Sequence, residues 1–289
     1  MVDAPGRLTD VLLQVIVSVE ETMTNETGQT RRIVLGGLAA SAGLLSMIDE
    51  TTAQAQTSGK TFVLVHGAWH GGWCWRRVSD RLEKKGHKVF TPTMTGLGER
   101  SHLLDAKINL ATHVTDIVNV IKWESLNDIV LVGHSYGGAV VSGVAEQVPE
   151  AIGCFVFLDA FVPENGESVA SLTTRRQAIE ELVQKGETSM KPVPAAAFQV
   201  NEIDRAWVDR MCTPHPLATL TDKPTLTGAR NRVAKKAYIR AVGYANPPFD
   251  AARDKLKATA GWRIYEVPCG HDVMVDMPDR LTEILLEVA

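Results

Sequence analysis

No excess of basic charge, no paired cysteines, no repeat and no membrane-length apolar run occur in this 289-residue sequence. Each gap closes a class of function. Lysine and arginine together number 30 against 34 aspartates and glutamates, a net charge of −4. Nothing there would grip a phosphate backbone, so nucleic acid is not an expected partner. The four cysteines (Cys74, Cys154, Cys212, Cys269) are dispersed, with no Cys-x-x-Cys and no metal-ligand spacing. A metal site is therefore not expected, no cofactor motif stands out, and spacing assigns no disulfide. The most apolar stretch, residues 33–48, has 16 residues and three glycines, short for a bilayer span. No stable membrane anchor is expected. The content of 45% hydrophobic and 22% charged residues is that of an ordinary globular chain, long enough for one large domain or two small ones.

What is present begins with a leader. Residues 30–56 read "TRRIVLGGLAASAGLLSMIDETTAQAQ". Arg31 and Arg32 precede the apolar stretch, and Ala53 to Ala55 offer small residues for cleavage. The pattern predicts a twin-arginine export signal over 29–55, within a leader of 1–55, and hence a periplasmic or secreted protein. The competing reading is a hydrophobic helix packed on the domain, with the protein staying in the cytoplasm. Met1 and Met23 both stand as candidate starts.

From Lys60 onward short apolar runs alternate with amphipathic stretches. Strands are predicted at 61–67, 87–93, 128–133, 154–160, 237–245 and 262–268. Helices are predicted near 75–85, at 112–126, after Ser135, and from Pro278. Strand–helix alternation implies a mostly parallel sheet with helices on both faces. Residues 161–227 break the alternation with helical, polar and then proline-punctuated sequence, which suits a small helical cap inserted into a 60–289 domain.

One run carries the chemistry. "IVLVGHSYGGAVV" (129–141) is a buried strand that stops at Gly133 and then shows a hydroxyl, Ser135, between small residues. Gly133 to Gly137 match G-x-S-x-G, a strained strand-to-helix turn that exposes a nucleophile. A serine needs a base, and His271 in "VPCGHDVMVDMP" follows the last predicted strand, where a parallel sheet delivers loops to the same edge. His134 lies inside the turn and points elsewhere. The oxyanion requires fixed donors, and the glycine-rich "VHGAWHGGW" (65–73) after the first strand predicts the amides of Ala68 and Tyr136 for that role.

These motifs resemble the α/β-hydrolase fold, and within it the branch of plant methyl esterases, hydroxynitrile lyases and bacterial esterase relatives. The resemblance rests on "FVLVHGAWHGGWCW" (62–75), "TGLGERSH" (95–102), "LVGHSYGG" (131–138), "FLDAFVP" (157–163) and "GHDVM" (270–274), and spans nearly all of 61–289. It departs at the triad acid. In that branch the acid usually follows the penultimate strand, where this chain has Tyr244. Asp159, ending the strand after the turn's helix, is the other location known in the fold and is the preferred candidate. A carboxylate closing an apolar strand needs a partner, and imidazole provides one. Asp250, beyond two prolines, and Glu164 are the alternatives. The lyases carry a threonine and a lysine where Gly67 and Asp272 stand here, which argues against cyanide chemistry.

The expected function is hydrolysis of small aromatic or medium alkyl carboxylic esters through an acyl-enzyme. Trp69, Phe161 and Trp207 are candidate pocket residues, with Trp73 and Trp75 as further aromatics that the core could equally claim. A C–C hydrolase, a cofactor-free perhydrolase and a non-catalytic ligand-binding protein of the same fold remain open. Oligomeric state and the particular ester are not legible.

Overall fold

A computed structural model describes residues 59–289. The leader expected over 1–55, with its twin-arginine pattern, lies outside the described residues.

Six strands form one sheet: β1 (Thr61–Val65), β2 (Lys88–Phe90), β3 (Ile129–His134), β4 (Ile152–Leu158), β5 (Lys235–Ala241) and β6 (Trp262–Val267). Their order is β2-β1-β3-β4-β5-β6 and every pairing is parallel. The central strand β3, "IVLVGH", is buried along its whole length. A strand covered by helices on both faces cannot alternate polar and apolar residues, which is why it reads as a continuous apolar run. The edge strand β6 is half-exposed, and its sequence "WRIYEV" mixes charge accordingly.

Five helices cover the sheet: α1 (Arg76–Lys84), α2 (Leu110–Trp123), α3 (Gly137–Gln147), α4 (Pro247–Lys257) and α5 (Pro278–Val288). Helix α2 starts two residues before the predicted 112. Asn109 accepts a hydrogen bond from the Thr112 amide while the Thr112 side chain answers the Asn109 amide, a reciprocal cap that fixes the boundary. Proline at the first position of α4 and α5 gives up an amide that a helix start leaves unpaired in any case.

Between β4 and β5 the chain makes short helices (Val169–Leu172, Arg176–Gln184, Glu202–Met211, Ala218–Thr221, Ala229–Arg232). It also makes a two-stranded antiparallel ribbon, Ser189–Met190 with His215–Pro216. The ribbon was not expected: two residues per strand are too few to show a period. Among the described residues no helix is long and apolar enough to cross a membrane.

The strand order reverses at β1, so the loops leaving β1 and β3 diverge and open a crevice at the carboxyl end of the sheet. Those two loops hold Ala68 and Ser135.

Candidate active site

Ser135 leaves β3 with φ 53°, in the left-handed region, a conformation that costs a non-glycine residue about 1–3 kcal/mol. The surrounding contacts hold it there. Its amide donates to the Leu158 carbonyl at 3.2 Å, and its carbonyl accepts from the Gly138 and Phe161 amides at 3.0 and 3.1 Å. Close packing explains the glycines. A Cβ on Gly137 would lie 2.8 Å from the His66 carbonyl oxygen, and one on Gly133 2.7 Å from that of Gly137.

At the end of β4, Asp159 also has a positive φ, 42°, and is fully buried. One carboxylate oxygen, Oδ2, lies 2.6 Å from His271 Nδ1. The other, Oδ1, accepts from Arg240 Nη1 at 2.8 Å and from the Ala241 amide at 3.0 Å. Asp250 does not touch His271; it pairs with Arg240 Nε at 3.0 Å from a half-exposed position. Glu164 is likewise engaged elsewhere, paired with Lys255 at 2.8 Å and with Arg230 at 3.4 Å. Of the three carboxylates weighed from sequence, the structure brings Asp159 alone against the imidazole.

His271 is packed among rings: Phe249 stacks at 5.5 Å, Tyr244 lies at 4.9 Å and Phe198 at 5.5 Å between centroids. Its amide donates to the Phe198 carbonyl at 2.9 Å, which ties the loop to the cap. His134, inside the turn, uses Nε2 on the His271 carbonyl at 3.1 Å. Burial, followed by the proximity of His271, holds its ring well below the usual histidine range and therefore neutral.

A narrow cavity of about 50 Å³ is bordered by Ser135, His271, Ala68 and Tyr136 together, with Trp69 and Phe161 among its walls. Among the described residues the Ala68 and Tyr136 amides donate to no protein acceptor. Trp207 is not part of the cavity wall. Its ring packs edge-on to Trp73 at 5.1 Å, with the Arg77 guanidinium 5.4 Å above it. Asp204, on the same cap helix, pairs with Arg77 at 2.7 Å. Trp75 is fully buried in the core, and Trp73 stacks on His70 at 5.1 Å.

Arg240 escaped the sequence reading. It is 1% exposed and joins Asp159, Asp250 and the Tyr244 carbonyl (2.7 Å), and it also donates to the Ala241 carbonyl. Burial works against its charge, but the two carboxylates outweigh this and raise its pKa. The available signal was the single cation inside the apolar run "AYIRAVG" (237–243), which demands a buried counter-charge.

Residues 62–284 match the model of the alpha/beta hydrolase family. The chain is 44% identical over 235 residues to a carbendazim hydrolyzing esterase of Nocardioides sp. (strain SG-4G), covering 78% of this chain and 97% of that protein. It is 25% identical over 247 residues to putative methylesterase 11, chloroplastic, of Arabidopsis thaliana, covering 79% of this chain and 63% of that one. Among solved structures it resembles an extracellular alpha/beta-hydrolase from a Paenibacillus species, described as sharing structural and functional homology with tobacco salicylic acid binding protein 2. The TM-score is 0.70 and the identity 26%, over 80% of this chain and 99% of that one. The chain belongs to the alpha/beta hydrolase family. Within it, the chain is an enzyme, a hydrolase of the esterase type.

Proposed function

We propose that this enzyme hydrolyses small aromatic or medium alkyl carboxylic esters by acyl transfer through Ser135, His271 and Asp159. The observation that carries the reading is the 2.6 Å contact of Asp159 Oδ2 with His271 Nδ1. With Nδ1–H donated to the carboxylate, Nε2 bears the lone pair and serves as general base. Ser135 Oγ attacks the ester carbonyl as its proton passes to Nε2. The oxyanion is met by the Ala68 and Tyr136 amides. His271 returns the proton to the leaving alcohol, and a water then repeats the sequence on the acyl-enzyme. Arg240 is a positioning residue in this scheme. It occupies Asp159 Oδ1 and leaves Oδ2 for the imidazole.

The aromatic walls and the tight space favour flat or slender acyl groups. The test is turnover of p-nitrophenyl acetate and butyrate, with carbendazim as a third substrate, by purified protein and by Ser135→Ala. Turnover lost to background in the variant supports the reading. Absence of turnover in the unaltered protein, with tight binding of an aromatic acid, replaces it with a ligand-binding function. We also propose export by the twin-arginine route. Mass spectrometry of periplasmic protein should find an N-terminus near Gln56, and full-length protein there removes the proposal.

A further inference from the structure

Behind the oxyanion loop lies a buried pair that the reaction scheme does not use. His70 is 2% exposed and Asp272, which directly follows His271, is fully buried. His70 Nε2 lies 3.0 Å from Asp272 Oδ2, and Nδ1 lies 2.8 Å from the Ala68 carbonyl oxygen. A carbonyl oxygen only accepts, so Nδ1 carries a proton. The second proton belongs either to Nε2 or to the carboxyl. Imidazole outcompetes a carboxyl for a proton by several-hundred-fold in water, and the carbonyl oxygen at Nδ1 stabilises a positive ring further.

The remaining titratable groups near the pair supply no competing cation. His66, His134 and His215 are held neutral by burial, and burial pushes up the thiols of Cys74, Cys212 and Cys269. Asp276 is raised, also chiefly by burial, and His271 is engaged with Asp159. His70 is thus the one counter-ion these neighbours leave for Asp272.

The contact matters because of the peptide it holds. Trp69 has φ 67°, a strained turn for a bulky residue. The Ala68–Trp69 peptide is gripped on both sides: its carbonyl by His70 Nδ1, its amide by His215 Nδ1 at 3.3 Å. His215 can accept there because its Nε2 faces Thr219 Oγ1 at 2.8 Å, and that hydroxyl donates to the Pro216 carbonyl at 2.7 Å.

We infer that His70 is a buried imidazolium, a positioning residue whose ion pair with Asp272 clamps the oxyanion loop at Ala68 to the loop that carries His271. The inference rests on the serine-hydrolase reading of the site. Through this pair the donors that receive the oxyanion and the base that moves the proton share one support.

The test is ¹⁵N NMR of the histidine-labelled full chain at neutral pH, with kinetics of Asp272→Asn on p-nitrophenyl acetate. Both His70 ring nitrogens should be protonated in the unaltered protein. In Asp272→Asn the amide can donate to Nε2, so the ring should become neutral, with kcat falling about 10- to 100-fold and KM within about twofold. A bare nitrogen on His70 in the unaltered protein overturns the inference, whether or not the variant folds. So does an unchanged kcat in a folded variant. Labelling of Ser135 by a fluorophosphonate separates the two readings: no labelling and no turnover defeat the serine mechanism, while the ring spectrum still decides the ion pair.

Discussion

Asp159 and Asp250 both touch Arg240, yet they sit on different sides of it, and the difference decides what their removal does. Asp159 bridges the guanidinium and the imidazole, with both oxygens occupied inside the core. Asp159→Asn keeps the shape but offers His271 an amide that can stabilise the wrong tautomer. Its kcat should fall by about 10⁴. Asp250→Asn, at a half-exposed carboxylate, should stay within a few-fold of the unaltered enzyme. Parallel kcat measurements check both, and the reverse ranking would place the acid at Asp250. Arg240→Met carries a different signature. It leaves Asp159 buried without its cation, so the protein should lose about 3–5 kcal/mol in urea unfolding. A loss below about 1 kcal/mol would mean that the Ala241 amide alone suffices to hold Asp159.

At the scale of elements, the reciprocal cap at Asn109 provides a test separate from chemistry. Asn109→Ala should destabilise by about 0.5–2 kcal/mol, read from thermal unfolding, with kcat unchanged. A fall in kcat would show that α2 couples to the site through His113, whose Nδ1 lies 2.9 Å from the Tyr136 hydroxyl. Elements also show what the sequence could and could not convey. The β3 turn was legible because burial on both faces imposes an apolar run, and because steric contact with Val65 and His66 imposes Gly137. Asp159 could be picked out as a charge ending an apolar strand. Arg240 lies on the neighbouring strand 81 residues later, and nothing local to "YIRAV" names its partner. Trp207 illustrates the same limit in the cap. An aromatic in "RAWVDR" is equally a pocket wall or a packing face, and the side chains it packs on, Trp73 and Arg77, come from far earlier in the chain. Long-range pairings, not propensities, decide these positions.

The molecule as a whole buries six of its eight histidines, and this makes its stability a function of pH. His66, His113, His134 and His215 are all inside and neutral. Burial holds His66 down at about 3 and His113 at about 4, against 6.5 for an exposed ring. As pH falls below 6.5 the unfolded chain takes up protons that the folded chain refuses, so stability declines until the folded-state values are reached. At pH 5 these two rings alone cost roughly 4 kcal/mol, and His134 and His215 act in the same direction. That is a large part of the roughly 5–15 kcal/mol that holds a typical domain together. His70 has the opposite sign. Although burial opposes its charge, Asp272 raises its pKa, so its contribution is complete below 6.5 and is lost as pH rises through the raised value. Asp272 lies well below the usual carboxylate range: burial opposes its ionisation, and His70 outweighs that. Its contribution is therefore kept above 3.8 and lost as acid reaches the depressed value. The melting temperature should accordingly be highest near neutrality, drop steeply between pH 6.5 and 4.5, and decline more gently on the alkaline side. In Asp272→Asn the alkaline decline should flatten while the acid drop persists, because the four neutral rings are untouched. A melting temperature that stays level down to pH 4.5 would mean that these histidines protonate inside the fold, and with them the neutral His215 that holds the Trp69 amide.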